Sequence, residues 1–208
     1  MRTAYIFCKS FELNQDKIKI EKASRDILYI AADSGLETAG LFNIAPDIVI
    51  GDFDSVNPEL LAGYKNIIKH PAEKNDTDSM LCVKYALAHE YKNIILIGGT
   101  GGRVDHYLAN LALLKYIKNR GGTAILTDGF NRVSYLANGS MRVYKNYKYV
   151  SIIPASPELC GLTLTGFLYN LENACVKSDE PYTVCNEIAE DSGEIKISEG
   201  GAFICECE

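Results

Sequence analysis

Two carboxylates one residue apart follow a short apolar run in the first third of the chain. Asp52 and Asp54 lie in the segment 51–55, directly after the apolar run 47–50. If that run is a buried strand, both side chains lie at its carboxyl end, the edge where ligands of open α/β sheets bind. Close carboxylates repel each other unless a cation or a proton offsets their charge. Their oxygens suit Mg2+, although Gly, Asp and Ser also form ordinary turns.

A second acidic cluster lies at the start of a predicted helix. It contains Lys74, Asp76, Thr77 and Asp78. Asp76 or Thr77 can cap the helix, and Asp78 is favourable at the positive end of its dipole. The alternative is functional: Asp78 binds the same cation as the first two carboxylates, and Lys74 binds a phosphate. Both interpretations stay open for this cluster taken alone.

A glycine-rich segment, 97–106, connects a predicted strand to a predicted helix. Its glycines are Gly98, Gly99, Gly101 and Gly102. Amide groups at a helix start bind anions, and Arg103 adds a fork of donors for phosphate oxygens. The P-loop and dinucleotide patterns are both absent, the latter because Val104 replaces a required glycine. Asp105 and His106 complete the segment, whose structural alternative is a flexible turn with an early-helix acid.

Asp33 also follows a predicted buried strand, in the segment 31–35. It could cap the next helix or line the same sheet edge as the other clusters. Acids for Mg2+, cations for phosphates and a glycine-rich anion loop together indicate phosphoryl or pyrophosphoryl transfer from a nucleotide. The residues alone do not name the acceptor.

The chain's charge and cysteines narrow the class of protein further. A formal net charge of -6 over 208 residues argues against a non-specific nucleic-acid binder. No apolar run approaches the length that spans a bilayer. The seven cysteines are odd in number and include no C-x-x-C pair, which predicts reduced thiols, no zinc site and a cytoplasmic protein. Alternation at the end of the chain predicts that Cys205 and Cys207 face the core.

The order of elements predicts an α/β fold class with two domains. Short apolar runs at 3–7, 27–31, 47–50, 66–69, 94–97 and 123–126 predict a mostly parallel sheet, with helices at 76–91 and 104–118. Leu108, Leu111 and Ala112 are expected on one face of the second helix. After residue 130 the pattern predicts an all-β sandwich, with strands at 132–136, 141–144, 149–153, 162–165, 194–198 and 202–207. The predicted domains are therefore 1–130 and 131–208.

In this combination the chain resembles the thiamine pyrophosphokinase family. The matching segments are 32–35, 46–55, Lys74 with Thr77 and Asp78, 98–106 with Asn110, 149–154 and 162–169. The resemblance implies transfer of the pyrophosphoryl group of ATP to the hydroxyl of thiamine, releasing AMP. It also implies an N-terminal α/β domain, a C-terminal β-sandwich, and a homodimer with active sites at the subunit interface.

The resemblance assigns roles to individual residues. It implies that the catalytic carboxylates Asp52, Asp54 and Asp78 bind Mg2+. It implies that ATP is bound by the following residues: Lys74, Thr77, Gly99, Gly101, Gly102, Arg103, Asp105 and His106. It implies that Asp33, Cys185 and Asn186 bind thiamine.

The thiamine segment departs from the family's usual Gly-x-Ser-Asn-Glu. Thr183 replaces the glycine and Cys185 replaces the serine, whereas Asn186 and Glu187 match. Cysteine is a weaker hydrogen-bond partner than serine. Two other functions use the same residues: a Mg2+-dependent nucleotide phosphohydrolase, and a non-catalytic nucleotide or thiamine sensor. Dependence of ATP consumption on thiamine separates the three.

Overall fold

The computed structural model describes residues 1–54, 58–71 and 75–208, which form two compact units. The units are Met1–Phe130 and Asn131–Glu208. Lys74 lies outside the described residues, so its predicted phosphate contact stays a prediction. The mixed α/β class expected from the sequence is confirmed.

Six parallel strands form the sheet of the first unit. They are β1 (Thr3–Phe7), β2 (Ile27–Ala32), β3 (Ile48–Gly51), β4 (Ile67–Lys69), β5 (Asn93–Ile97) and β6 (Thr123–Thr127), in the order β6-β5-β1-β2-β3-β4. Every residue of β1 is buried, as expected of a central strand covered on both faces. Strands β2, β3 and β4 follow one another on one side of β1, whereas β5 and β6 lie on its other side. The strand order therefore reverses between β1 and β5, the point where open α/β sheets bind ligands.

The described part of this unit contains four α-helices and one 3-10 helix. They are α1 (Gly35–Leu41), α2 (Pro58–Leu61), α3 (Asp78–Ala88), α4 (Val104–Lys118) and the 3-10 helix Gln15–Lys17. Helix α3 begins later than predicted because Thr77 is extended and its Oγ1 accepts a hydrogen bond from Met80 N at 3.2 Å. This confirms that Thr77 caps the helix.

Helix α4 has the predicted bounds but a different buried face. Leu108 is 59% exposed. The buried residues are Asn110, Leu113, Leu114 and Ile117. Leu108, Leu111 and Ala112 share one face, as predicted, but the helix buries a different one, because it is apolar on several sides.

The second unit is built from antiparallel strands. They are β7 (Asn131–Tyr144), β8 (Tyr149–Pro154), β9 (Glu158–Thr165), β10 (Leu171–Lys177) and β11 (Ser192–Cys207). Strands β7 and β11 each join two segments that were predicted as separate strands. Their pairing shifts register between Ile197 and Gly201, and β11 pairs with β9 before this shift and with β8 after it. The buried core of the unit is almost entirely aliphatic.

Two cysteine predictions are wrong. Cys160 and Cys175 form a disulfide between the antiparallel neighbours β9 and β10, with their Cα atoms 4.2 Å apart. The sequence did not reveal this pair, because β10 was not predicted as a strand. Cys205 and Cys207 are only partly buried, whereas Glu206 between them is 2% exposed and forms an ion pair with Arg132. That ion pair allows a charged side chain to take the core position expected of a cysteine.

Candidate active site

A cavity of about 370 Å3 lies where the strand order reverses. It is lined by residues that follow β1, β2 and β5 and by the first turns of α3 and α4. Of the predicted site residues it contains Asp33, Thr77, Asp78, Gly99, Gly101, Arg103 and His106. Asp52, Asp54, Gly102 and Asp105 do not line it, and Cys185 and Asn186 belong to the second unit. The structure therefore brings three of the predicted clusters together at one sheet edge.

Asp33 is the half-buried carboxylate of this cavity. Its backbone is left-handed, with φ 49°, and its Oδ1 accepts a hydrogen bond from Phe53 N at 3.1 Å. Gly51 permits this approach, since a Cβ there would lie 2.9 Å from the Asp33 Cβ. Burial raises the pKa of Asp33, and the charges of Asp78 and Asp52 raise it further. The three carboxylates are therefore close enough to influence one another electrostatically.

The Asp52–Asp54 turn is fixed by its own side chains. Asp52 Oδ1 accepts a hydrogen bond from Asp54 N at 3.2 Å, and Phe53 between them has φ 64°. Phe53 packs against the buried cluster that includes Leu36 and Val49. This anchor holds Asp52 at the sheet edge and leaves Asp54 exposed.

The acids have the donor chemistry that Mg2+ prefers. Asp33, Asp52 and Asp78 present carboxylate oxygens whose mutual repulsion a divalent cation would offset. Across residues 1–54, 58–71 and 75–208, however, no three His, Cys, Asp or Glu side chains converge closely enough to hold a metal ion. The metal set Asp52, Asp54 and Asp78 thus stays a prediction.

The glycines of the loop are required mainly by the protein itself. All four have positive φ. A Cβ at Gly98 would lie 2.7 Å from Cys8 O, and one at Gly102 would lie 2.2 Å from the Phe11 ring. At Gly101 nothing lies within 4 Å of the same position. Gly101 is therefore the glycine whose backbone is open to a ligand, whereas close packing explains the others.

Buried side chains hold the loop in place. Asn110 Nδ2 donates to Gly99 O at 2.9 Å, and Thr100 Oγ1 donates to Asp128 Oδ2 at 2.6 Å. Asn110, Thr100 and Asp128 are all buried. These hydrogen bonds hold the loop in one conformation, and its binding of phosphate stays a prediction.

Arg103 and Asp105 form a two-pronged ion pair at the mouth of the cavity. Arg103 Nε donates to Asp105 Oδ1 at 3.1 Å and Nη2 donates to Oδ2 at 2.5 Å. Asp105 Oδ1 also accepts from His106 N at 3.0 Å. The Arg103 hydrogen bonds lower the pKa of Asp105 to about 2, although the carboxylate is exposed. Asp105 therefore orients Arg103 while the imidazole of His106 lines the cavity.

Four residues that line the cavity were not predicted from the sequence. They are Cys8, Lys9, Phe11 and Ser79. The first three follow β1, so the argument that was applied to the ends of the other strands could have found them. Cys8 is buried, its Sγ lies 3.7 Å from Ser79 Oγ, and burial raises its pKa to about 11. It is therefore an inert thiol at the base of the cavity.

The predicted thiamine segment is rigid within the second unit. Asn186 is buried, its Oδ1 accepts from Tyr169 N at 3.1 Å, and its Nδ2 donates to Tyr169 O at 2.8 Å. Thr183 Oγ1 donates to Ile152 O, so threonine is used here as a buried anchor. Cys185 is exposed with φ 54°, and its N donates to Ser151 Oγ at 3.0 Å. Asn186 thus holds the segment in shape, and Cys185 is accessible to a ligand, as is its neighbour Val184.

A parallel sheet with an anion cradle and carboxylates at its switch point defines a class of α/β proteins that bind phosphorylated ligands. Comparison with known proteins makes this more specific. The model of the thiamin pyrophosphokinase catalytic domain matches residues 20–126, and that of the vitamin B1 binding domain of the same enzymes matches residues 140–201. The chain belongs to the thiamine pyrophosphokinase family, which confirms the resemblance seen in the sequence.

Individual relatives support this membership over most of the chain. The thiamine pyrophosphokinase of Bacillus subtilis strain 168 is 31% identical over 179 residues, covering 83% of this chain and 84% of that protein. Thiamin pyrophosphokinase 1 of Caenorhabditis elegans is 26% identical, covering 78% and 71%. The crystal structure of the Bacillus subtilis thiamine pyrophosphokinase superposes with a TM-score of 0.87 at 27% identity, covering 99% of this chain and 98% of the other. No helix in the described part of the chain is long and apolar enough to cross a membrane.

Proposed function

We propose that this chain transfers the pyrophosphoryl group of ATP to the hydroxyl of thiamine, giving thiamine diphosphate and AMP. The observation that carries the proposal is the cavity at the switch point, which joins an anion cradle to carboxylates within the region that matches the catalytic domain. The match of residues 140–201 to the vitamin B1 binding domain supports thiamine as the acceptor.

In this reaction the thiamine hydroxyl oxygen forms a bond to the β-phosphorus of ATP. The bond from that phosphorus to the oxygen that bridges to the α-phosphorus breaks, and AMP leaves with that oxygen. The hydroxyl proton passes to a carboxylate of the cavity. The amide groups around Gly101 and the guanidinium of Arg103 bind the phosphates and offset the charge that builds up on their oxygens.

Mg2+ would be held by Asp52, Asp54 and Asp78, with Asp33 close by. The electrostatic coupling of Asp33 to Asp78 and Asp52 supports this assignment, because a cation relieves their repulsion. When bound, the ion would supply positive charge that offsets the charge of the phosphates and helps to orient the pyrophosphoryl group. Lys74 would add a phosphate contact, as the family resemblance implies.

The remaining parts of the proposal concern the thiamine segment and the assembly. Cys185 would contact thiamine, with Asn186 holding its segment in shape. The antiparallel second unit would be a β-sandwich, and the chain would act as a cytoplasmic homodimer. Light scattering coupled to size-exclusion chromatography tests the dimer directly, and a monomer at micromolar concentration would contradict it.

The decisive experiment measures AMP release from Mg-ATP with and without thiamine, with the thiamine product identified by mass spectrometry. We expect AMP release that depends on thiamine, with thiamine diphosphate formed in equal amount. Release of ADP or phosphate regardless of thiamine would instead indicate a phosphohydrolase. Thiamine binding without turnover would indicate a sensor.

A further inference from the structure

The segment after β1 lies along the glycine loop and lines the same cavity. Lys9 O accepts a hydrogen bond from Gly99 N at 2.9 Å, and the Phe11 ring occupies the space that a side chain at Gly102 would need. Lys9 and Phe11 both line the cavity. The segment 9–11 is therefore built into the anion cradle, although it is about 90 residues away in sequence.

The charges around the cavity leave a specific need for a cation. The lining includes the carboxylates of Asp33 and Asp78, which repel a polyanionic nucleotide. Arg103 lines the cavity too, but its guanidinium is shared with Asp105 through two hydrogen bonds. Among the described lining residues, Lys9 is the other side chain that carries a full positive charge.

The ammonium group of Lys9 is exposed and lies near an aromatic ring. Its Nζ lies 6.0 Å from the centroid of the Phe11 ring, at the outer limit of a cation–π contact. No ion pair joins Lys9 to an acid in the described part of the chain. Phe11 itself is 68% exposed, so core packing does not explain a large apolar residue here. The Lys9 ammonium group can therefore move toward a bound anion without first breaking a salt bridge.

We infer that Lys9 binds the triphosphate of ATP and that Phe11 is its positioning residue. The inference rests on the proposed function for the identity of the nucleotide. Phe11 packs on Gly102 and supports the Lys9 stem, so that the ammonium group reaches the phosphates from the side of β1. Arg103 and the loop amides approach the same phosphates from the side of β5.

The test compares Lys9→Met with the wild-type chain in two assays. Isothermal titration calorimetry measures the Kd for inorganic tripolyphosphate, and steady-state kinetics measures the KM for ATP at saturating thiamine. We expect both constants to rise about tenfold in Lys9→Met, as expected for the loss of one charge-assisted hydrogen bond, with the KM for thiamine nearly unchanged. Lys9→Arg should recover most of the loss. Phe11→Leu should give a smaller rise in both constants. Phe11→Tyr keeps an aromatic ring and should leave both constants at their wild-type values.

Lys118→Met is the matched control, since Lys118 is an exposed lysine in the last turn of α4, away from the cavity. It should leave both constants unchanged. Unaltered tripolyphosphate binding in Lys9→Met would overturn the inference, as would an equal loss in the control. If the wild type makes no thiamine diphosphate, the proposed function fails, but tripolyphosphate binding still decides the role of Lys9.

Discussion

Two carboxylates whose pKa is raised by burial, one in each unit, have opposite electrostatic surroundings. Asp33 in the first unit is surrounded by acids, and the charges of Asp78 and Asp52 add to the effect of its burial. Glu206 in the second unit is more deeply buried, and its ion pair with Arg132 partly offsets the same effect. The first arrangement brings like charges together at the cavity, whereas the second pairs opposite charges within one unit.

This difference separates groups that bind a ligand from groups that hold the fold. Removing a charge from the acidic cluster relieves repulsion and should cost function rather than stability. Removing Arg132 leaves a buried carboxylate without its cation and should cost stability rather than function. The following predictions test the two halves of that contrast.

The largest effect is expected for Asp78→Asn, which removes the charge of one cavity carboxylate and keeps the shape of the side chain. Turnover of thiamine should fall by about 100- to 1000-fold, because the charge that organises the phosphate site is lost. The melting temperature should change little, because relief of repulsion with Asp33 opposes the loss of a favourable charge at the start of α3. Asp76→Asn is the matched control, since Asp76 is paired with Lys84 at 2.6 Å, and it should change turnover less than about twofold. A folded Asp78→Asn enzyme with normal rates would remove Asp78 from the site.

Arg132→Met should have the largest effect on stability. It leaves Glu206 buried without its ion pair, and we expect a loss of about 2 kcal/mol in the free energy of unfolding at pH 8. The loss should shrink toward pH 5, because protonation neutralises Glu206. Urea denaturation at both pH values measures it, with the exposed Lys196→Met on β11 as control. Equal losses in the two variants would show that the ion pair is not structural.

Arg103→Ala should act on the nucleotide alone. The KM for ATP should rise about tenfold while the KM for thiamine stays constant, because Arg103 lines the cavity beside the anion cradle. Asp105→Asn should give a smaller rise, since Asp105 only orients Arg103. Initial-rate kinetics with each substrate varied separates these effects. Unchanged ATP kinetics in Arg103→Ala would contradict the phosphate role.

The smallest effect concerns the pH dependence of stability at Asp33. A carboxyl whose pKa is raised on folding contributes stability that is present below its unfolded pKa and is lost as pH rises through the folded value. Asn also tolerates the left-handed backbone at this position. Without divalent cations, Asp33→Asn should therefore melt about 2 °C higher than the wild type at pH 7, and the difference should vanish toward pH 4. A difference independent of pH would assign the effect to packing instead.

Much of the fold could be predicted from the sequence, because in the first unit the hydrophobic pattern of most segments agrees with the strand or helix that they form. The buried runs of β1 and β5 are apolar without alternation, and α4 has the bounds that its pattern predicts. Strand β10 was missed, because exposed polar residues and two register shifts obscure its alternation. The burial of Glu206 could not be foreseen either, since it depends on Arg132, which is 74 residues away in sequence.

The position of Asp33 and Arg103 at the cavity could be predicted, because each follows a predicted strand and carries an obvious chemical group. The site was not predictable where a residue acts through its neighbours in space. Lys9 has no motif around it, and only the folded loop reveals its position. The same holds for the glycines, since the sequence does not show which of them face a ligand and which face another segment.

The packing of Gly99 has a consequence for how this family can vary in evolution. A Cβ at this position would lie 2.6 Å from Asn110 Nδ2 and 3.2 Å from Cys8 Cβ. A larger residue at 99 would need changes at 8 or 110 to make room, and the left-handed backbone there, with φ 72°, would still strain it. We therefore expect glycine to be kept at 99 in natural sequences of this family, so that the end of β1, the loop and α4 stay packed together.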